Sequence, residues 1–407
     1  MFKLIKKNKK SKLRKGILKV GHGKIKTPVF MPDATRGNVK LIRAEEVMDL
    51  GVQSMVVNTF HLYLQPGVDV ISKFKGINDF INWPGPLLSD SGGYQVFSLI
   101  HRGNKGSRSK MGEISDKGVI FKSPVDGSKH ILTPEKSIKI QFDLGVDIMV
   151  CLDDCPPNNS SRKDLERSVE RTISWARRCR KEYNKKIKDK KLKIYNYNRP
   201  LLFGVIQGGK DLDLRRRCAE ELIKLDFDGY GFGARPVDEN GIFMEGILQQ
   251  TADLIPDDKL RFALGIGNPE HILRCAHMGW DMFDCVIPTR EARHGRLYVK
   301  RQDTRYLPTG TAGKKQISPK IQDTIYKKFP ISNFKFPKFY SIVNINNSKY
   351  KNSFEPVAHD CDCELCQSYS AGYLHHLFKI KEPLGQRLAT MHNLKFYMDL
   401  MDDIRNT

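Results

Sequence analysis

The chain has 407 residues, of which 40% are hydrophobic, with 21 Phe and 14 Tyr, so it has the composition of a folded protein of enzyme size and not of an extensively disordered one. No run of about eighteen apolar residues occurs, which excludes a membrane-spanning helix. The formal net charge of +23 attracts polyanions and predicts nucleic acid as a partner, although composition alone also allows lysines that only solubilise the protein.

Seven apolar runs end in polar or glycine residues and indicate strands buried on both faces, as in parallel sheets. They span residues 54–58, 87–93, 148–154, 202–209, 229–233, 262–267 and 282–287. Helix-like stretches at 161–181 and 212–225 lie between them. The alternation predicts an α/β fold, a (β/α)8 TIM barrel whose strands end at one mouth. A doubly wound open sheet is the alternative, but it needs fewer strands, and no Gly-x-Gly-x-x-Gly motif follows the first one.

The chain is predicted to divide into three parts. Residues 1–300 form the barrel, and the basic start at 3–19 belongs to it because a strand-like segment follows directly. From 302 to 338 the pattern gives way to Lys, Pro, Thr and Gln, so 301–345 is interpreted as a lysine-rich surface insertion or linker. Residues 346–407, with a tail of helical periodicity, are predicted to form a zinc-binding subdomain with C-terminal helices.

The zinc prediction rests on Cys361, Cys363 and Cys366, three of only nine cysteines. Thiols this close can converge on one tetrahedral cation, and a fourth ligand from a distant segment, such as the tail that contains His392, would complete a structural zinc site. A reduced cluster without metal is the alternative. The other six cysteines are scattered and no secretory h-region precedes them, which predicts a reducing, cytoplasmic environment.

Three carboxylates follow apolar runs, namely Asp90, Asp153 and Asp284. In a barrel they would share one pocket, and paired carboxylates there suit glycosidic chemistry, in which one attacks an oxocarbenium-like centre and another moves protons. A single aspartate at such a position is more often a helix cap or turn residue. Three together favour catalysis.

A nucleobase and phosphates are the predicted ligands of this pocket. Gly92-Gly93 and the Gln-Gly-Gly run at 207–209 let the backbone approach a planar ligand, and Tyr94 could stack on it, although an aromatic residue there is more often core or rim. The segment 288–296 places three arginines beside Asp284, which suits phosphate and guanine edges, with a solvated charged loop as the alternative.

Four segments of the chain have motif character. They are Ser89-Asp90-Ser91-Gly92-Gly93-Tyr94-Gln95, Ser123-Pro124-Val125-Asp126-Gly127-Ser128-Lys129-His130, Asp281-Met282-Phe283-Asp284-Cys285-Val286-Ile287-Pro288-Thr289-Arg290 and Cys361-Asp362-Cys363-Glu364-Leu365-Cys366. Together they resemble bacterial tRNA-guanine transglycosylase, from about Phe30 to the C-terminus with an interruption at 302–338. The resemblance implies a cytoplasmic TIM-barrel homodimer with structural zinc. It also implies exchange of guanine at wobble position 34 of tRNAs with a GUN anticodon (Asp, Asn, His, Tyr) for a 7-deazaguanine, in queuosine biosynthesis.

The same resemblance implies roles for individual residues. Asp284 would be the nucleophile that forms a covalent ribosyl-enzyme intermediate, and Asp90 the general base for the incoming base. The implied base-binding residues are Ser91, Gly92, Gly93, Tyr94, Asp153, Gln207, Ala234 and Leu264, the last in place of the family's usual Met. The implied tRNA-binding residues are Gly265, Ile266, Gly267, Asn268, Pro269, Glu270, His271, Thr289, Arg290, Glu291, Ala292 and Arg293. The implied zinc ligands are Cys361, Cys363, Cys366 and His392, which selects His392 over His375 and His376.

One loop departs from the family pattern. Where the family usually reads Gly-Gly-Leu-x-Val-Gly-Glu, residues 233–239 read Gly-Ala-Arg-Pro-Val-Asp-Glu. The methyl group of Ala234 narrows the expected base pocket, and Arg235 brings positive charge towards a base expected to carry an aminomethyl cation, which Glu239 would offset. Cys155 and Val237 nevertheless resemble residues of members that use 7-aminomethyl-7-deazaguanine, so this base is predicted.

Two alternatives remain open. The altered loop is compatible with a non-catalytic tRNA-binding subunit of a heteromeric transglycosylase, although both aspartates are present. A transferase that inserts 7-deazapurines into DNA is the second, and the intact zinc motif and the anticodon-matching segments argue against it. The insertion, with Lys300, Arg301, Arg305, Lys314 and Lys315 in or near it, is predicted to add tRNA contacts.

Overall fold

Eight parallel strands form a barrel in the computed structural model, which describes residues 1–9, 11–103, 112–189, 199–301 and 339–407. The described strands are β1 Phe2–Lys7, β2 Arg14–Val20, β3 Gly23–Thr27, β4 Val29–Pro32, β5 Met55–Val57, β6 Leu87–Ser89, β7 Gly112–Ser115, β8 Gly118–Lys122, β9 Lys129–Leu132, β10 Ile148–Val150, β11 Leu201–Ile206, β12 Gly229–Phe232, β13 Leu260–Ala263, β14 Met282–Cys285, β15 Arg296–Lys300 and β16 Tyr340–Asn344. The barrel order is β4-β14-β13-β12-β11-β10-β6-β5. A bridge between Asp33 and Val56 joins its two ends. The barrel prediction is confirmed, and the open-sheet alternative is wrong.

Apolar side chains fill the barrel interior, as the continuous apolar runs predicted. Met31, Val150, Phe203 and Phe262 come from four different strands and are at most 2% exposed. Leu18, Val20 and Ile25 of the antiparallel sheet β1-β2-β3 belong to the same buried cluster, so that the N-terminal sheet contributes to the barrel core. The basic start is therefore part of the fold, as expected.

Helices surround the barrel and bury their apolar faces against the strands. The described helices are Ala44–Asp49, Thr59–Leu64, Val68–Lys73, Ile77–Ile81, Gly93–Gly103, Pro134–Leu144, Arg162–Ile187, Leu212–Ile223, Glu245–Leu254, Pro269–His277, Ile287–Arg293, Glu364–Ser368, Ala371–Lys379 and Pro383–Asn406, with a 3-10 turn at Ser348–Tyr350. The two helices predicted from sequence are confirmed. Ser161 and Asp211 start them, since each side chain accepts a hydrogen bond from a backbone N–H of the first turn.

The C-terminal part packs directly on the barrel. Strand β15 pairs with β16 in an antiparallel hairpin, and the helix Pro383–Asn406 contacts both β15 and the helix Ile287–Arg293. Residues 302–338 lie outside the described residues, so the insertion and its tRNA contacts stay a prediction. Within the described ranges no helix combines the length and the apolar character that a membrane crossing needs.

Candidate active site and metal centre

A cavity of about 650 Å³ opens at the ends of the barrel strands. It brings together most of the residues implied by the sequence, namely Asp90, Ser91, Tyr94, Asp153, Gln207, Ala234, Leu264, Gly265, Ile266, Gly267, Asn268, His271, Asp284 and Arg290. Gly92 and Gly93 do not line the cavity themselves but stand in the chain between Ser91 and Tyr94, which do, and Gly93 begins the helix that follows β6. The polar residues that end the strands therefore converge at one mouth, as the barrel prediction requires.

The other residues implied to bind tRNA lie on two helices beside the cavity. Pro269 and Glu270 begin the helix Pro269–His277, and Glu270 is paired with Arg274 at 2.7 Å. Thr289, Glu291, Ala292 and Arg293 lie on the helix Ile287–Arg293, where Thr289 and Ala292 are buried.

Asp284 is the third residue of β14 and lines the cavity. Its Oδ1 accepts a hydrogen bond of 2.8 Å from the backbone N–H of Gly265. Burial raises the pKa of this carboxyl to about 7, and the nearby negative charge of Asp33 acts in the same direction. Among the described residues Gly265 is the one donor to this carboxylate, which therefore keeps free lone pairs for an electrophilic carbon.

Asp90, which follows β6, is held much more firmly. Its carboxylate accepts hydrogen bonds from the Asn58 side chain (2.5 Å), the backbone N–H groups of Thr59 and Gly92 (3.1 Å each) and the Gln95 side chain (2.9 Å). Burial raises its pKa to about 7, and the donors from Thr59, Gly92 and Gln95 oppose that shift. A fixed carboxyl that titrates near neutrality suits a proton acceptor and donor.

Asp153 and Gln207 form the opposite wall. The Gln207 Nε2 group donates to Asp153 Oδ2 at 2.7 Å, which leaves Gln207 Oε1 buried and without a partner among the described residues. Burial raises the pKa of Asp153 to about 7. Two adjacent acceptors on one wall match a ligand edge that carries neighbouring N–H donors.

Tyr94 and Leu264 supply apolar surface to the same cavity. The Tyr94 side chain is 55% exposed at the rim, whereas Leu264 is half-buried and directly follows β13. Both line the cavity together with the carboxylates, so a flat ligand would meet apolar surface from each.

The cysteine cluster forms a second, separate site. The Sγ atoms of Cys361, Cys363 and Cys366 lie 3.6, 3.5 and 3.3 Å from Nδ1 of His392, and the four ligand atoms all lie within 4.8 Å of one another. The other ring nitrogen of His392 lies 2.8 Å from the Tyr298 carbonyl oxygen, the outer contact that orients a metal-bound imidazole. Three thiols and one imidazole fit a closed, tetrahedral, structural zinc site. None of the four residues lines the active-site cavity.

Comparisons with known proteins agree with this geometry. A family model described as queuine tRNA-ribosyltransferase matches residues 9–407. Curated relatives of that name include one from Caldanaerobacter subterraneus subsp. tengcongensis, 40% identical over 99% of this chain and 92% of the relative. Another, from Psychrobacter sp. strain PRwf-1, is 40% identical over 97% of this chain and 90% of the relative.

The chain belongs to the queuine tRNA-ribosyltransferase family. The resemblance carried by the four sequence motifs is thereby confirmed, and the Cys3His cluster is consistent with the same family.

The loop that departs from the family pattern is strained. Ala234 has a φ of +136°, a backbone conformation that favours glycine. The buried guanidinium of Arg215 connects this loop to the preceding one. It donates hydrogen bonds to the carbonyl oxygen of Gly233 (2.9 Å), in this loop, and to that of Gly209 (2.7 Å), in the loop after β11. Glu239 forms an ion pair with Lys210, so it is engaged away from Arg235, whose charge it was expected to offset.

Sequence reasoning overlooked several residues of the site. Asp33, Asn58, Thr59 and Gln95 contact or line it, yet none was singled out. Asn58 ends the apolar run 54–58 and Asp33 follows the strand β4, so the same rule that found Asp90 would have found both. Thr59 and Gln95 carry no such signal, because they reach Asp90 only through the local geometry of two helix starts.

Proposed function

We propose that this protein replaces guanine at wobble position 34 of tRNAs with a GUN anticodon (Asp, Asn, His, Tyr) by a 7-deazaguanine, a step of queuosine biosynthesis. The observation that carries the proposal is the pair Asp90 and Asp284, two half-buried carboxyls in one cavity whose pKa values are raised to about 7 by desolvation. The same cavity holds acceptors suited to a guanine edge. The family to which the chain belongs is named for ribosyl transfer to tRNA.

In the first half of the proposed reaction, the Asp284 carboxylate attacks C1′ of the target nucleotide. The C1′–N9 bond breaks, its electron pair leaves with guanine, and the base takes up a proton, for which protonated Asp90 is the donor in our scheme. The product is a ribosyl ester of Asp284. Two observations support this assignment: Asp284 lines the cavity, and among the described residues its carboxylate accepts a hydrogen bond only from the Gly265 N–H.

In the second half, the incoming base gives its N9 proton to Asp90 and attacks C1′. The ester bond breaks and the Asp284 carboxylate is released, so that two displacements restore the original configuration. The four donors on Asp90 support its role as the fixed proton acceptor, because they hold the carboxyl in one orientation. Proton uptake and release balance over the cycle.

Base recognition is assigned to the opposite wall. We propose that Gln207 Oε1 and Asp153 accept the N–H donors of the base, that the Ala234 N–H donates to its carbonyl, and that Tyr94 and Leu264 cover its faces. The unpartnered Gln207 Oε1 supports this assignment, since a buried acceptor without a partner is costly unless a ligand supplies one. Ser91, Gly92 and Gly93 complete the proposed base site. The backbone N–H of Gly92 donates a hydrogen bond to the carboxylate of Asp90.

We propose 7-aminomethyl-7-deazaguanine as the natural base. Cys155 and Val237, the residues similar to those of members that use it, both line the cavity. Arg235 also lines it, and Asn158 donates to its carbonyl oxygen at 3.1 Å. Because Arg235 would repel an aminomethyl cation, replacing it with Leu should improve the use of this base relative to guanine in a competition assay.

Further proposals concern the assembly. We propose that residues 265–271 and 289–293 hold the anticodon at the mouth, where Gly265 and Arg290 are exposed. We also propose a cytoplasmic homodimer and keep the division into a catalytic barrel (1–300), an insertion (301–345) and a zinc subdomain (346–407). The core around the zinc ligands supports a distinct C-terminal unit, although it also takes in Ala292 and Leu297.

The decisive test is incorporation of labelled guanine into unmodified tRNA, with trapping of a covalent enzyme–tRNA adduct. We expect incorporation by the wild-type protein and loss of the adduct in Asp284→Ala, with the exposed Asp189→Ala variant as the control. An adduct of undiminished yield in Asp284→Ala would remove that residue from its role. No incorporation at saturating enzyme would favour a non-catalytic binding subunit, and preferential exchange into duplex DNA would favour the DNA transferase.

A further inference from the structure

Asp33 places a fourth carboxylate in the active-site cavity, in addition to Asp153 and the two aspartates of the proposed reaction. It directly follows β4, and β4 pairs with β14 in a register that sets Pro32 opposite Cys285, the residue after Asp284. The bridge from Asp33 to Val56 fixes its backbone at the seam of the barrel. The barrel thus fixes the backbone of Asp33, as it does for the other residues at the strand ends.

The barrel order separates this carboxylate from the residues assigned to the edge of the base. Asp153, Gln207 and Ala234 follow β10, β11 and β12, which are neighbours in the sheet, whereas Ser91 to Tyr94, also assigned to the base, follow β6. Asp284 lies in β14, and Asp33 comes next, before Asn58 and Asp90 complete the circle. A base whose hydrogen-bonding edge meets the residues after β10 to β12 has its attached sugar on the side of Asp284 and Asp33, because N9 lies opposite that edge of the guanine ring.

The carboxylate of Asp33 has capacity for a ligand. One oxygen accepts the hydroxyl of Thr35, and within the described ranges we find no hydrogen bond or ion pair to its second oxygen. It is half-buried and lines the cavity, so it is neither a core residue nor a freely solvated one. A strong acceptor with an open lone pair at this place calls for a donor from the substrate.

We infer that Asp33 binds the 2′-hydroxyl of the target nucleotide and thereby selects RNA over DNA. This inference rests on the proposed function, because it needs the sugar C1′ at Asp284. The 2′-hydroxyl is on the carbon next to C1′, so it is the sugar donor closest to the carboxylate beside the nucleophile. Deoxyribose has no donor there, and a 2′-hydroxyl contact is how proteins distinguish the two sugars.

The contact would also act on the rate. Hydrogen bonds to the hydroxyl next to the anomeric carbon strengthen in oxocarbenium-like transition states. A charged acceptor makes such a bond stronger than a neutral one does. We therefore expect Asp33 to act mainly on kcat/KM for a ribonucleotide target and little on that for a deoxyribonucleotide target.

The test compares two tRNAs that differ by one oxygen atom. One carries guanosine at the target position and the other 2′-deoxyguanosine, and labelled guanine is the incoming base, so the result does not depend on the identity of the natural base. Wild type, Asp33→Ala and Asp33→Asn are compared, because Asn keeps an acceptor and loses the charge. Thermal unfolding and zinc content of each variant report on the fold.

We expect Asp33→Ala to lower kcat/KM on the ribonucleotide by about ten- to hundredfold, the range for a hydrogen bond to a charged group, and on the deoxynucleotide by less than about threefold. For Asp33→Asn, we expect a kcat/KM on the ribonucleotide between those of the wild type and Asp33→Ala. Deoxyribosides differ from ribosides in intrinsic reactivity. The quantity to compare between variants is therefore the ratio of kcat/KM on the ribonucleotide to kcat/KM on the deoxynucleotide.

An equal loss on both substrates would overturn the inference, since it would mean that Asp33 acts only through its charge or through the fold. Failure of the wild-type protein to exchange guanine in the ribonucleotide substrate would instead overturn the proposed function, and this inference with it.

Discussion

The buried guanidinium of Arg215 donates a hydrogen bond of 2.9 Å to the carbonyl oxygen of Gly233, the residue that precedes the strained Ala234. The same group reaches the carbonyl oxygens of Gly209 and Ile206 and lies 4.2 Å from the ring centroid of Phe232. It therefore ties together the two loops that supply Gln207 and Ala234 to the cavity. Burial lowers its pKa to about 10, which still leaves it charged at neutral pH.

We expect Arg215→Met to lower stability by about 1–3 kcal/mol, because it leaves buried carbonyl groups without donors. It should also raise the KM for the incoming base more than it lowers kcat, because the loops that hold the base would lose their common support. Steady-state exchange and denaturant unfolding would measure both effects. Arg216→Met is the matched control, since Arg216 is the next residue and is exposed. Equal KM values in the two variants would contradict a positioning role for Arg215.

The raised pKa of Asp284 predicts a conflict between activity and stability. Because its folded pKa of about 7 exceeds its usual value of 3.8, the folded state holds a proton that the unfolded state releases between these pH values. The favourable contribution of protonated Asp284 to the free energy of unfolding is complete below about pH 4 and is lost as the pH rises through about 7. Above pH 7 the partly buried carboxylate therefore destabilises the fold.

Asp284→Asn should accordingly be more stable than wild type at pH 8 by about 1–2 kcal/mol, while exchange is abolished. The shift itself corresponds to about 4 kcal/mol, but the carboxyl is partly open to the cavity, where water screens its charge. Denaturant unfolding at pH 4 and pH 8 would measure the difference, which should shrink at the lower pH. If Asp284→Asn and wild type were equally stable at both pH 4 and pH 8, the Asp284 carboxylate would not destabilise the folded state.

The backbone conformation of Ala234 predicts that glycine at this position stabilises the protein. With a φ of +136° it occupies a region that costs an alanine of the order of 1–3 kcal/mol, and glycine enters it freely. We expect Ala234→Gly to raise the melting temperature and to lower the KM for the incoming base, since the methyl group no longer narrows the site. Ala219→Gly, at a buried position of the helix Leu212–Ile223, is the control and should lower the melting temperature. If Ala234→Gly had a lower melting temperature than wild type, the claim that the backbone is strained at Ala234 would be contradicted.

The sequence predicted most of the residues that line the cavity and overlooked the residues that support them. Asp90, Asp153 and Asp284 follow apolar runs, so the barrel alone places them at one mouth. The support of the site was not predictable in this way. Arg215 lies within a helix, where nothing in its spacing distinguishes it from the exposed Arg216, and only the tertiary fold turns its guanidinium towards Gly233. The strain at Ala234 likewise depends on a backbone angle that composition does not encode.

Zinc is expected to support the fold and to stay out of the chemistry. Cys363 and Cys366 belong to the core of the C-terminal part, which also includes Leu297, Leu374 and Leu388, and Cys361 packs against it. His392 is buried, and its second ring nitrogen lies 2.8 Å from the carbonyl oxygen of Tyr298. Loss of the metal would leave thiols and an imidazole together in a buried place, so that the local packing would open. The active-site cavity has no residue in common with this cluster.

Cys363→Ala should therefore lose bound zinc and several kcal/mol of stability before the remaining folded protein loses activity. The measurements are metal content by mass spectrometry, thermal unfolding, and exchange per folded molecule at a temperature below the new transition. Cys275→Ala is the matched control, because it removes a buried thiol outside the cluster and should keep the metal. Full stability with abolished exchange would contradict a structural role, since it would place the metal in the reaction itself.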